Sequence, residues 1–433
     1  MQRSDSELNH SEFNSPEFNS PQRQRLFRSL GMPWYNLCPI NDDGVPETDK
    51  QVPYALYHCH RVAPRMIQEI QHASERVGQV FAALQPMIRA LDANTLLSYG
   101  FPKESIRLIK HDTLPPFCMR LDWCWNEATG TRKIIETNCQ TPSFWFECTT
   151  GNREVARHFG LADPTPLAES RLSLSLDLHL QRAARRLNKS IEDCHIGFTA
   201  LNNPEDMGTM KWLKNHCHYD STVFPIELLR IKDGKYLFYE RTGRPIDILF
   251  MWYTLEWAIH DLDEQGRALW PALEELILTG KLVIVNFASA FALQPKSILA
   301  LITDLGLDAF SDEEAAAIFD YFPKTTLTPD SFPASYFAKP ILGRQGEGGF
   351  AVDAGATKAR SSNNSPWYTQ QDYVYQELLD LPQISIADQS LTALWGAWLY
   401  NDGADRYWAG GVGLRVSQGS ITDDYSYWCP IGC

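Results

Sequence analysis

The sequence predicts a mixed α/β protein in which a parallel sheet with flanking helices is followed by a mainly antiparallel lobe. Three short apolar runs, at 195–201, 247–252 and 281–286, are separated by helix-like segments such as 205–215 and 268–278. Continuous apolar strands that alternate with helices are typical of parallel sheets covered on both faces. After residue 330, strand-like runs are divided by loops rich in Gly, Ser and Asn; they span 336–342, 373–379, 393–400 and 410–417.

Composition narrows the classes of function. The 433 residues are 44% hydrophobic, which is enough for a large core and two or three lobes. The chain has no run of eighteen apolar residues and no secretory signal, so we expect no membrane span. The net charge of -14 argues against nucleic-acid binding. The ten cysteines are sparse, which favours reduced thiols and a cytoplasmic protein of unspecified oligomeric state.

Polarity changes along the chain predict its division. Residues 1–24 are rich in Ser, Asn, Gln and charge, which predicts a disordered tail. The remainder, 25–433, divides into approximate lobes at 25–190, 191–290 and 291–433. In the first lobe, one long helix is indicated by an apolar face at helical spacing; its members are Ile67, Ile70, Val77, Phe81 and Leu84.

A polar hairpin in the first lobe carries the first candidate site. A strand ending near Asp122 is followed by the turn 126–130 and a returning strand to Asn138. Alternation places Arg120 with Asp122 on one face and Glu136 with Asn138 on another. If the two faces coincide, three oxygen-bearing side chains suited to Mg2+ lie beside a guanidinium that can hold an anion. The alternative is an exposed polar face with a surface ion pair.

Two further segments suit a nucleotide. A lysine and an arginine, Lys339 and Arg344, precede the glycine-rich stretch 345–349, whose backbone can approach phosphates closely. The alternative is a glycine-rich hairpin turn. The strand end that contains Gln376, Glu377 and Leu378 can hold an adenine edge through main-chain groups.

Together these motifs resemble the glutathionylspermidine synthase family of ATP-grasp ligases. The family's Arg-Phe-Asp hairpin strand matches Arg120-Leu121-Asp122, and its Glu-Tyr-Asn-Ala-Asp-Thr/Ser-Pro matches 136–142. Its Lys-Pro-Ile-x-Gly-Arg loop is intact at 339–344. Looser matches lie in the same order: a helix motif at 295–299, Tyr-Gln-Glu at 375–377 and Gly-Leu-Arg at 413–415, followed by Ile-Thr at 421–422.

The resemblance implies an ATP-grasp fold with a pre-ATP-grasp-like α/β layer, and a ligase that joins a small-molecule or peptide carboxylate to an amine with ATP and Mg2+. The implied metal ligands are Asp122, Glu136 and Asn138. The implied nucleotide residues are Lys296, Lys339, Gly346, Gln376, Glu377 and Leu378. The implied catalytic arginines are Arg120, Arg344 and Arg415, and the implied substrate residues are Thr141, Ser143, Glu205, Asp206 and Glu256.

The chain departs from the family pattern beside the substrate. Gln140 replaces an aspartate and Thr137 a tyrosine, which we interpret as an altered floor of the substrate site. The metal ligands are retained, so ATP chemistry is still expected. The amidase domain of the bifunctional enzymes is not expected. Two other functions stay open at this point, a nucleotide-binding protein without ligase activity and a kinase that uses the same site.

Overall fold

The computed structural model of the chain describes residues 20–37, 52–232, 234–344, 346–361, 365–386, 388–419, 421 and 426–433. Most of the predicted tail, residues 1–19, lies outside the described residues. The prediction of disorder is wrong for residues 21–24, which belong to a helix at Pro21–Ser29. Ser20 caps this helix by accepting a hydrogen bond from the Arg23 amide. The buried Arg23 guanidinium fixes this helix by donating to the carbonyl oxygens of Ala55 and Tyr35, at 2.7 and 2.6 Å.

The helices pack around three larger sheets. The α-helices are Pro21–Ser29, Pro64–Ala90, Ala93–Ser98, Ile106–His111, Asn152–His158, Ala168–Arg186, Pro204–Lys214, Leu255–Ala258, Trp270–Leu278, Ala288–Phe291, Ser297–Leu305, Asp312–Tyr321 and Pro366–Thr369. Among the described residues, no helix is both long enough and apolar enough to cross a bilayer.

The strands are short except in one sheet. They are β1 Asn36–Leu37, β2 Val52–Pro53, β3 His60–Arg61, β4 Cys118–Asn126, β5 Thr131–Asn138, β6 Ile196–Ala200, β7 Ser221–Pro225, β8 Leu229–Lys232, β9 Tyr236–Tyr239, β10 Ile248–Trp252, β11 Val283–Val285, β12 Thr325–Thr326, β13 Tyr336–Pro340, β14 Phe350–Asp353, β15 Ala356–Arg360, β16 Tyr373–Gln376, β17 Gln383–Ile386, β18 Gln389–Asn401, β19 Tyr407–Ser417, β20 Tyr427–Cys429 and β21 Ile431–Gly432.

The predicted parallel layer is present. Its four strands lie in the order β11-β10-β6-β7, and all neighbours are parallel. Every residue of β6, β10 and β11 is buried, as expected for strands covered on both faces. The edge strand β7 is absent from the prediction because it is half-exposed and contains no continuous apolar run.

A six-stranded antiparallel sheet unites the polar hairpin with the end of the chain. Its main path is β20-β19-β18-β4-β5, with β17 on β18. The sequence analysis places the runs 393–400 and 410–417 in the 291–433 lobe, but the first of them, in β18, pairs with β4 of the first lobe, and the second, in β19, pairs with β18. Antiparallel strand patterns do not encode which partner a strand takes, so the sequence alone does not reveal this exchange.

A second antiparallel sheet faces the first. Its order is β12-β16-β13-β14-β15, and it carries Lys339 at the end of β13 and Gln376 at the end of β16. The helix Pro64–Ala90 packs on the far side of the six-stranded sheet through its predicted apolar face, which is buried throughout. Gly78 allows this packing, because a Cβ there would lie 3.0 Å from Leu399 Cδ1.

Candidate active site

A cleft of about 1420 Å³ lies where the two antiparallel sheets meet the carboxyl ends of β6 and β10. Open α/β sheets bind their ligands outside the carboxyl ends of the strands, so the position of this cleft is typical of a ligand site. Of the predicted site residues, all but Glu256 line the cleft: Arg120, Asp122, Glu136, Asn138, Thr141, Ser143, Glu205, Asp206, Lys296, Lys339, Arg344, Gly346, Gln376, Glu377, Leu378 and Arg415.

The hairpin faces coincide as the first prediction requires. Asp122 pairs with Glu136 and Arg120 with Asn138 in the β4–β5 register. The Asn138 amide nitrogen lies 3.2 Å from Asp122 Oδ2 and 3.3 Å from Glu136 Oε1. Asp122 and Arg120 are buried, with 1% and 4% of their surface exposed. The alternative of an exposed hairpin face is therefore wrong.

Asp122 is shared by two arginines. Arg120 donates to both of its oxygens, at 2.7 and 2.9 Å, and Arg415 donates to Oδ2 at 2.7 Å. Burial lowers the pKa of Arg120, but the charge and hydrogen bonds of Asp122 outweigh it, and the pKa is raised overall. The other end of the Arg120 guanidinium donates to the Ser143 carbonyl oxygen at 2.9 Å. Two guanidinium groups on one carboxylate leave a net positive charge, which suits an anion.

Two lysines flank Glu136. Lys296 Nζ lies 3.1 Å from Glu136 Oε2, and Lys339 Nζ donates to the carbonyl oxygen of Ile135 at 3.0 Å. Burial raises the pKa of Glu136, but the charges of the two lysines outweigh it and lower that pKa to about 2. Burial lowers the pKa of Lys339 to about 8, against the opposing charge of Glu136.

The side-chain oxygen atoms of Asp122, Glu136 and Asn138 suit a hard divalent cation. The Asn138 amide nitrogen already lies within hydrogen-bond distance of both carboxylates, and rotation of that amide exchanges its nitrogen for its oxygen. Three oxygens from Asp122, Glu136 and Asn138 then share one space. Mg2+ is typically held by one or two carboxylates and completes its shell with water and phosphate oxygens.

Gln376, in the predicted adenine segment, also contacts Lys339. The Gln376 side chain is buried, accepts from Lys339 Nζ at 2.8 Å and donates to Thr325 Oγ1 at 3.2 Å. Its side chain therefore orients the lysine. Glu377 and Leu378 follow the strand and line the cleft, and the Glu377 amide donates to the Lys324 carbonyl oxygen.

The glycine loop connects β13 to β14 and lines the cleft through Gly343, Gly346 and Gly349. Gly346 and Gly348 have φ values of 72° and 67°, in the left-handed region that favours glycine. A Cβ on Gly348 would also lie 2.8 Å from Pro340 Cγ. Gln345 lies outside the described residues. Arg344, at the start of the loop, donates to Thr141 Oγ1 at 3.1 Å and to Glu256.

Glu256 lies behind the cleft wall. It is 2% exposed and its Oε1 atom accepts from Arg344, so the structure does not place it facing the cleft as the sequence analysis expects. The neighbouring residues Tyr253, Thr254 and Trp257 line the cleft instead.

Two of the predicted substrate residues are acidic and lie at the start of a helix. Glu205 and Asp206 occupy the first turn of the helix Pro204–Lys214, where carboxylates are favoured by the helix dipole. Asp206 accepts from the side chains of Asn203 at 2.7 Å and Trp252 at 3.3 Å. Burial raises the pKa of Asp206 in spite of these bonds.

The N-terminal segment completes the cleft and is missing from the predicted site. Pro33, Trp34, Asn36 and Leu37 line the cleft. Trp34 Nε1 donates to the buried Glu147 carboxylate at 2.9 Å, and a Cβ on Gly208 would lie only 2.2 Å from the Trp34 ring. The aromatic pair Trp34-Tyr35, just after a polar stretch, is the one signal in the sequence for this wall.

The two departures from the family pattern lie behind the cleft surface. Gln140 is buried, and its Oε1 accepts from the Leu255 amide at 3.0 Å. Thr137 is buried and pairs with Leu121 in the register, on the strand face opposite to Glu136 and Asn138. Neither residue lines the cleft, so the expected alteration of the substrate floor is not found at these positions.

Comparisons with known proteins agree with this architecture. A protein of Haemophilus influenzae, provisionally described as an acid–amine ligase, is 24% identical over 266 residues; the match covers 58% of this chain and 58% of that protein. The solved structure of a glutathione synthetase-like effector from Globodera pallida, in its apo form, superposes with a TM-score of 0.57 at 12% identity and covers 100% of this chain and 98% of its own. At that identity the likeness shows the fold alone, which is the fold of this glutathione synthetase-like protein.

Residues 17–432 match the glutathionylspermidine synthase pre-ATP-grasp family, a stretch that includes every residue of the cleft. The match covers far more than half of the chain, and the chain therefore belongs to the glutathionylspermidine synthase pre-ATP-grasp family.

Proposed function

We propose that this protein is an ATP- and Mg2+-dependent ligase that joins a carboxylate to an amine through an acyl phosphate, releasing ADP and phosphate. The observation that carries the proposal is the meeting of three oxygen ligands, two lysines and three arginines in one cleft. Family membership and the acid–amine ligase description of the relative support it.

The nucleotide end of the cleft lies between the two antiparallel sheets. Asp122, Glu136 and Asn138 would hold Mg2+, whose chemistry is to offset phosphate charge and orient the reacting phosphoryl group. Lys296 and Lys339 supply positive charge at the same place, on both sides of Glu136. Gly346, with Glu377 and Leu378, would enclose the nucleotide.

The acid is activated beside the arginines. A carboxylate does not react with an amine in water, since oxide is a poor leaving group, whereas phosphorylation of its oxygen gives an acyl phosphate with a good one. Arg120 would orient the acid together with Thr141 and Ser143, because its guanidinium already donates to Ser143. Arg344 and Arg415 would stabilise charge on the migrating phosphoryl group and on the tetrahedral intermediate that follows.

The amine attacks from the acidic end of the cleft. Glu205 and Asp206 would attract a cationic amine, and Glu205 would accept the proton that the amine loses. The glycine loop after Arg344 would cover the reacting groups and exclude water, which otherwise hydrolyses an acyl phosphate. Alignment of the reacting groups can supply roughly 7–11 kcal/mol of barrier reduction.

The test is product analysis. The protein, incubated with ATP, Mg2+ and pooled acids and amines, should release ADP and phosphate and form a product whose mass includes the amine and no phosphorus. Release of AMP and pyrophosphate would contradict the acyl-phosphate route, and a phosphorylated product would identify a kinase.

Arg344→Ala distinguishes a ligase from a nucleotide-binding protein. The proposed role of this arginine is with the reacting groups and not with the nucleotide, so we expect the variant to retain ATP binding and to lose turnover. A wild-type protein that binds ATP but gives no turnover with any acid and amine would favour the binding function.

A further inference from the structure

Arg344 spans the cleft to a buried carboxylate. It lies in the glycine loop of the five-stranded sheet, and its Nε and Nη2 atoms both donate to Glu256 Oε1 on the parallel-sheet side, with Nε at 3.1 Å. The Glu256 side chain is 3% exposed and that of Arg344 is 20% exposed. The contact is therefore a nearly buried ion pair between the two walls of the cleft.

The pairing uses one edge of the guanidinium. Nε and Nη2 form the side edge, and both donate to the same oxygen of Glu256. Nη1 donates once, to Thr141 Oγ1. Since a guanidinium has five N–H donors, one donor on Nη1 and one on Nη2 have no hydrogen-bond partner within the described ranges. Paired donors of this kind match two oxygens of a phosphoryl group or a carboxylate.

Hydrogen bonds fix the backbone of the short helix that carries Glu256. The helix Leu255–Ala258 begins where the Leu255 amide donates to Gln140 Oε1 at 3.0 Å. The backbone of Gln140 is itself fixed. Its backbone amide donates to Gln294 Oε1 at 3.0 Å, and its backbone carbonyl oxygen accepts from the Asn286 side chain at 3.0 Å. Gln140, which stands where the family has an aspartate, therefore holds the start of this helix.

The same helix segment contacts the five-stranded lobe at two more points. The Arg344 guanidinium lies 5.6 Å from the centre of the Trp257 ring, which is within the range of a cation–π contact. The His260 ring meets the Trp367 ring edge-to-face at 5.5 Å. Glu256, Trp257 and His260 therefore all contact the five-stranded lobe.

We propose that Glu256 is a positioning residue: it binds one edge of Arg344 and thereby presents the other edge to an anionic group in the cleft. The anion is of the phosphoryl class, and in this respect the inference rests on the proposed ligase function. In this role Glu256 does not touch the amine, which separates it from Glu205 and Asp206.

Limited proteolysis tests the pairing without any substrate. Trypsin cleaves after Arg344 only when that side chain leaves Glu256 and enters the protease. Glu256→Gln keeps the shape but removes the charge, so we expect cleavage after Arg344 to be roughly 10- to 100-fold faster relative to cleavage at other sites. Mass spectrometry identifies the bond that is cut. An unchanged ratio would overturn the proposal.

Glu274→Gln is the matched control. Glu274 is also a mostly buried glutamate paired with an arginine, Arg107, at 2.7 Å, and neither residue lines the cleft. This variant should leave the ratio of cleavage at Arg344 unchanged. If Glu256→Gln does not fold, Glu256→Asp gives the same contrast, because its carboxylate is one methylene too short to hold both donors. Wild-type ratios in Glu256→Asp would then overturn the proposal.

Kinetics separate positioning from contact with the amine. We expect Glu256→Gln to lower kcat by about 100-fold, as misplacement of a catalytic group does, with the KM values for ATP and amine within twofold of wild type. A raised KM for the amine with unchanged kcat would show that Glu256 faces the amine and would overturn the positioning role. If the wild-type protein has no ligase activity, the proposed function fails while the proteolysis result still decides the pairing.

Discussion

Arg415 and Asp122 are 293 positions apart in the chain and form an ion pair of 2.7 Å. The pair exists because β18 lies between the strands that carry them, so that Asp122 faces Gly396 and Leu394 faces Arg415 in the register of one sheet. Gly396 leaves room for the Phe144 ring, since a Cβ there would lie 3.3 Å from Phe144 Cδ1, and the centre of that ring lies 6.0 Å from the Arg415 guanidinium. Strand β19 thus adds Arg415 to the cluster of side chains on the β4–β5 hairpin.

Asp122→Asn should abolish the Mg2+-dependent activity. The change removes a ligand charge and leaves Arg120 and Arg415 without their shared carboxylate, at a cost of about 3–5 kcal/mol for breaking a buried pair. We expect a lower free energy of unfolding, and no recovery of ADP release up to high Mg2+ concentration. Urea unfolding and a magnesium titration of activity measure the two effects.

Asp112→Asn is the control for that variant. Asp112 is also buried, pairs with Arg186 at 2.9 Å and accepts from the Ser289 amide, but it lies away from the cleft. It should reduce stability while the magnesium titration keeps its wild-type midpoint. A wild-type midpoint in Asp122→Asn would exclude Asp122 as a ligand.

Lys339 should make the affinity for ATP dependent on pH. Burial lowers its pKa from 10.5 to about 8, so the folded protein loses this positive charge as the pH rises through 8. We expect the Kd for ATP to be constant below pH 7 to 8 and to rise by up to about tenfold per pH unit above it. Calorimetric titration between pH 7 and pH 9.5 measures this change.

Lys339→Met provides the comparison. Without the titrating amine, ATP should bind weakly and with little dependence on pH over the same range. A sloped profile in the variant would assign the titration to another group. The free energy of unfolding of the wild type should rise between pH 8 and 10.5, since there the unfolded chain binds a proton that the folded chain has released.

Local patterns in the sequence predict the hairpin part of the site well. Alternation along a strand fixes which side chains share a face, so Arg120 with Asp122 and Glu136 with Asn138 follow from the sequence. The parallel layer follows from its buried apolar runs. The helix Pro64–Ala90 follows from its 3.6-residue period.

Relations between distant segments are not contained in such patterns. The pairing of β18 with β4 depends on the shapes of two buried surfaces, which a period of two does not specify. The position of Glu256 behind the wall depends on the hydrogen bond between the Gln140 side chain and the Leu255 amide, which are 115 positions apart. The wall formed by Trp34 depends on the absence of a side chain at Gly208. The family resemblance supplies the order of the motifs but not these contacts.

Trp34 should control affinity for the amine. Its indole nitrogen donates to Glu147, and its ring packs against Gly208 in the helix whose first turn carries Glu205 and Asp206. Trp34→Phe keeps an aromatic side chain but replaces the indole by a smaller ring and removes a hydrogen bond to a buried carboxyl group. If the bond fixes that helix, its loss should raise the KM for the amine by about tenfold, with an unchanged KM for ATP.

Trp212→Phe tests whether that effect is specific. Trp212 lies on the same helix, and its indole nitrogen donates to Thr150 Oγ1 at 3.0 Å outside the cleft. Steady-state kinetics with each substrate varied in turn should show wild-type KM values for this variant. Equal effects of the two substitutions would mean that the helix responds to any loss of packing, whereas a change confined to Trp34→Phe places the amine at the wall formed by the N-terminal segment.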